Sequence, residues 1–99
     1  MYAPLPDYLI REQATVGALV TFGVLRVIGA AVARAYGWRI VTVERLFVAA
    51  AALYCMPSLA DAIAQGWAAN ALAQFEGNVL GSAIALFFAP ILSHRLGYE

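Results

Sequence analysis

Charged and reactive side chains are scarce in this sequence. Of 99 residues, 12% are charged, one is a cysteine and one is a histidine. Cys55 stands alone inside an apolar run, which excludes a disulfide framework and a cysteine metal cluster. Its expected role is that of a small apolar filler. His94 by itself cannot furnish a zinc site. The formal net charge is zero and the six basic residues are scattered, so no nucleic-acid footprint exists. A glycine-rich phosphate loop, a nucleophile–base pair and metal-ligand spacing are all missing. The expectation is a protein without enzymatic activity and without a cofactor. No segment alternates with period two, so helices are expected rather than strands. The N-terminus, MYAPLPDYLIREQ, lacks the basic start followed directly by an apolar run that marks a signal peptide. Pro4 and Pro6 should keep it extended, and the first apolar segment should be retained.

What is abundant is apolar surface. The hydrophobic fraction is 64%, against roughly 45–50% apolar in soluble domains, and so small a chain could not hide it from water. A bilayer core of about 30 Å takes about 20 helical residues per crossing. Three stretches qualify. The first runs from about Ala14 to Ala33 with Arg26 as its one charge, and Gly37 is a helix stop with Tyr36 and Trp38 suited to the interface. The second runs from about Val43 to Ile63, with Pro57 expected to kink it. The third, from about Asn78 to Leu92, is short and needs its flanks to span. The fold class is an all-α membrane protein of three transmembrane helices. Residues 1–13 form a polar tail, 14–95 the membrane domain and 96–99 a short C-terminal tail.

The linkers differ in charge. The first holds Arg34, Arg39 and Arg45 against Glu44; the second, Asp61 to Gly77, holds Asp61 and Glu76 with no basic residue. Basic short loops stay in the cytoplasm, so the expected topology is N-out/C-in. Glu76 belongs to the outer loop or to the first turn of the third helix, where a carboxylate suits the helix dipole.

Small residues mark the helix faces. Gly77, Gly81, Ala85 and Ala89 recur every four residues in the third helix, a stripe that permits close helix approach. It serves either packing inside one chain or homo-oligomerisation. Arg26 lies about 12 Å from Arg34 along the helix, at about 1.5 Å rise per residue. A charge at that depth is costly by at least about 2.5–3.5 kcal/mol. It either snorkels to the headgroups or serves inside a bundle, pairing with Glu44. Thr15 and Arg26 are therefore the candidates to line or gate a lumen, and Arg26 should leave the first helix the least committed to the bilayer.

The order of features resembles the small three-helix phage holins of the phage lambda type, over roughly Glu12 to Arg95. A polar N-terminus leads into EQATVGAL. A basic loop follows, then ERLFVAAAALYCMPSLADAIA. A glycine-bearing third helix, GNVLGSAIALFFAPILSHR, ends in basic residues. The tail SHRLGYE is less basic than is usual there, and Met56 is the one further methionine, so no dual start is visible. The resemblance implies a multi-pass protein of the bacterial inner membrane. It would oligomerise into lesions for host-cell lysis, with the bilayer and further copies of itself as partners. The alternative is a structural accessory subunit docked on other membrane subunits. A pilin-like filament subunit is a third reading, disfavoured by the lack of a cleavable leader.

Overall fold

The computed structural model describes residues 6–98. Three helices follow one another: α1 (Asp7–Tyr36), α2 (Ile40–Ala64) and α3 (Ala69–Arg95). No strand occurs among the described residues. The bundle measures 51 × 22 × 20 Å, so its long axis exceeds a hydrocarbon core of about 30 Å. All three helices are long and apolar enough to cross a membrane.

The helices outrun the apolar stretches that mark them. α1 starts at Asp7, directly after Pro6, so half of the stretch expected as a polar tail is helical. Pro6 suits that start because proline needs no N–H partner at a helix entrance. α3 starts at Ala69, about nine residues before the third apolar stretch, and Glu76 lies two turns inside it. Asp61 likewise belongs to α2. The second linker shrinks to residues 65–68. Hydropathy locates what lipid must cover, whereas helix hydrogen bonding continues into the interface until a turn stops it. The most apolar 18-residue stretch of the chain lies in α1, in spite of Arg26, so that helix is not the least suited to lipid.

The stops are local. Gly37 adopts φ 71° and its N–H returns to the Ala33 carbonyl, the left-handed helix end that glycine favours. After α2, Gly66 and Trp67 both have positive φ, and the Trp67 N–H reaches the Ala62 carbonyl at 2.7 Å. Pro57 and Pro90 lie inside helices that run through them.

α1 and α3 run parallel, with α2 antiparallel between their ends. Phe22, Ala51 and Ala85 meet where the three helices converge, with Leu19, Phe47 and Leu86 against them. Phe22 also meets Tyr54 edge to face, at 5.2 Å between centroids. The rest of the interior is mostly alanine, while Leu46, Leu53, Phe87, Phe88 and many valines point outward. Large apolar residues outside and small ones inside is the arrangement expected of helices packed in lipid.

Candidate functional site

Two regular stripes form the seam between α1 and α3. On α3, Ala73, Gly77, Gly81, Ala85, Ala89 and Ser93 are buried at every fourth position. On α1, Ala14, Ala18, Phe22, Arg26 and Ala30 repeat with the same spacing. The glycines are where the backbones come closest. A Cβ on Gly77 would lie 2.5 Å from the Ala14 Cβ and 2.6 Å from the Arg11 carbonyl oxygen. A Cβ on Gly81 would collide with the Thr15 carbonyl oxygen and stand 2.8 Å from the Ala18 Cβ. The stripe Gly77, Gly81, Ala85, Ala89 is therefore occupied by α1 of the same chain. A second copy could use that face only after displacing α1.

Arg26 sits in the same seam. Its side chain is 1% exposed, and its Nη2 lies 3.2 Å from Oε1 of Glu44, whose side chain is half exposed. The guanidinium thus reaches across to α2 instead of upward to headgroups. Burial of a charge inside a bundle demands such a partner. The Thr15 hydroxyl instead donates to the Arg11 carbonyl of its own helix at 2.7 Å. Thr15 and Arg26 are eleven residues apart on α1, and neither lines the two apolar grooves described below.

A second polar group ties α2 to α3. Gln74 donates to the side-chain Oδ1 of Asn78 at 3.3 Å, Asn78 donates through Nδ2 to the Ser58 hydroxyl at 3.0 Å, and Ser58 donates to the Cys55 backbone carbonyl at 2.9 Å. This chain ends beside Pro57, whose ring removes the N–H that a helix would otherwise supply to the Leu53 carbonyl. Sequence reasoning missed Asn78 and Ser58. Their signal was the single asparagine inside an apolar run and a serine directly after the proline. One ion pair and one hydrogen bond close the ends of the seam. Arg11 pairs with Glu76 at 3.8 Å, and Arg34 donates to the Gly97 carbonyl.

Among the described residues, no group of three or more His, Cys, Asp or Glu side chains is placed to hold a metal ion. Shallow apolar grooves score the outer surface. One of about 450 Å³ runs between α1 and α3, lined by Val20, Gly23, Val24, Val27, Phe88 and Leu92 among others. Another, of about 370 Å³, runs between α2 and α3 past Cys55 and Ser82, whose buried hydroxyl has no hydrogen-bond partner.

Length, apolarity and packing define the class: a multi-pass helical membrane protein. Beyond that class the chain stands apart, since no family model, no curated protein and no solved structure matches it.

Proposed function

We propose that the chain is a holin-like protein. It accumulates in the bacterial inner membrane with its N-terminus outside and C-terminus inside, and it associates with further copies to open lesions for host-cell lysis. The observation that supports this reading is a set of polar side chains buried within a mostly alanine interior and wrapped in an apolar shell. Arg26, Ser58, Asn78 and Ser82 are buried inside a bundle whose outer surface is apolar. A compact bundle of this kind is compatible with lipid, and an opened one would present these polar groups to water. Expression in bacteria tests it. Culture density and membrane potential should collapse together at a set time after induction, and Arg26→Leu should shift that time or abolish the lesion. A chain that leaves the membrane potential intact at high expression is not a holin.

The second reading is an accessory subunit. It is favoured by α2, which buries few positions and turns Leu46, Val48, Leu53 and Met56 outward. Such a subunit is inert when expressed alone and disappears without its partner. The orientation is tested with single thiols at Ala3 or Tyr98 in a Cys55→Ala background. Labelling of both from one side of the cell would exclude three crossings.

A further inference from the structure

We infer that the groove between α1 and α3 seats one acyl chain of an anionic phospholipid, with its phosphate held by Arg34 and Arg95. This goes beyond the lesion reading and needs only that the bundle lies in a bilayer.

The groove walls are apolar throughout. On α1 they are Val20, Val24 and Val27; on α3 they are Phe88 and Leu92. Gly23 opens the floor, because a Cβ built there would meet nothing within 4 Å. Both walls lead to the same end of the bundle. At 3.6 residues per turn, Arg34 lies seven residues past Val27 on the same face of α1. Arg95 lies seven residues past Phe88 and three past Leu92, on the same face of α3. α1 and α3 are parallel, so both arginines stand at one end of the trough, about two turns beyond Val27 and Phe88, where Arg34 also lines a smaller hollow with Trp38 and Tyr98. Both arginines are exposed.

That end is also where basic charge gathers. Arg34, Arg39, Arg45 and Arg95 cluster there, and Glu44, the carboxylate within the helices at that end, is committed to Arg26. Arg11 alone sits at the other end, beside Asp7, Glu12, Glu76 and Asp61. Every basic residue of the six is an arginine. The guanidinium offers a planar fork of five N–H groups that matches phosphate oxygens, so the one bond from Arg34 to Gly97 does not exhaust it. Charge complementarity thus selects the occupant. A zwitterionic lipid fills the trough equally well but brings its own cation to the arginines. A second protein helix would need carboxylates at this end, and this chain places most of its carboxylates at the other.

Spin-labelled lipids test the inference on the full chain reconstituted in phosphatidylcholine vesicles. The motionally restricted fraction is compared for spin-labelled phosphatidylglycerol and spin-labelled phosphatidylcholine. Phosphatidylglycerol should associate about fivefold more strongly for each arginine it engages. Arg34→Gln with Arg95→Gln should bring the ratio close to one. Gly23→Leu, which fills the trough where space is open, should lower the ratio with both arginines intact. Equal association of the two lipids with the unaltered protein overturns the inference. So does a full preference that survives Gly23→Leu, since attraction to the basic end alone would then explain it. Circular dichroism of each variant shows whether the helices remain. The comparison of the two lipids on the unaltered protein stands without any variant.

Discussion

α1 is joined to α3 and to α2 by different means. Against α3 its backbone comes closest at Gly77 and Gly81, where the facing helix carries no side chain to hold the two apart. Against α2 it relies on side chains that reach across: Arg26 to Glu44, Phe22 to Tyr54, and Phe47 lying over Gly29. α2 is bound to α3 in the same manner, through Ser58 and Asn78. In lipid no water is released when apolar helices meet, so each junction must gain from contact area or from polar bonds. The first means is rigid and intolerant of added volume. The second is adjustable, because a long side chain can swing while its helix shifts.

If that contrast is correct, the largest effect comes from adding volume to the seam. Gly81→Leu should destabilise the bundle by about 3 kcal/mol, since the two helices must move apart and give up the close contact along the seam. Thiols replacing Arg11 and Glu76, in a Cys55→Ala background, would report it. They should crosslink within one chain when Gly81 is present and fail to do so in the variant. A crosslink that persists means the seam does not depend on close approach.

Glu44→Gln should come next, at about 2 kcal/mol in detergent unfolding. Removing one partner of a fully buried pair costs about 3–5 kcal/mol, and the half-exposed Glu44 is expected to lose less. Adding Arg26→Leu should recover most of the loss, because the stranded charge goes with it. A double variant as unstable as Glu44→Gln alone would mean the pair is not coupled.

Asn78→Leu should cost about 0.6 kcal/mol, and no more than about 1.7, the range of hydrogen bonds between membrane helices. The thermal melt should move slightly, with α1 and α3 still crosslinking. Gly17→Leu is the smallest change. No atom lies within 4 Å of a Cβ there, so stability should stay within about 0.5 kcal/mol. A large effect at Gly17 would show that glycine matters in α1 for a reason other than the seam.

The sequence displays some of this plainly and conceals the rest. The three helices follow from apolar runs, and the stop at Gly37 from glycine after the last apolar turn. The start of α3 at Ala69 was hidden, because the stretch from Asp61 to Gly77 read as a linker although its alanines continue the helix. The stripe on α3 was visible, but its occupant was not: the same small residues serve contact within a chain and between chains. Arg26 carried two readings for the same reason. Depth follows from residue spacing, while the direction of a long side chain is set by which helix stands beside it. Asn78 sat in plain view, yet an isolated asparagine has no meaning until its partner across the interface is placed.

The closest pair of helices is also the pair most distant along the chain, and that orders events during synthesis. α3 leaves the ribosome last. At about 5–20 residues per second, its 27 residues take roughly 1–5 s to appear. Until then the glycine-matched face of α1 has no partner from its own chain. The Arg26–Glu44 contact needs only α1 and the first turns of α2, so it is the earliest tertiary bond the chain can form. It keeps the arginine neutralised through the interval in which the seam has no second half.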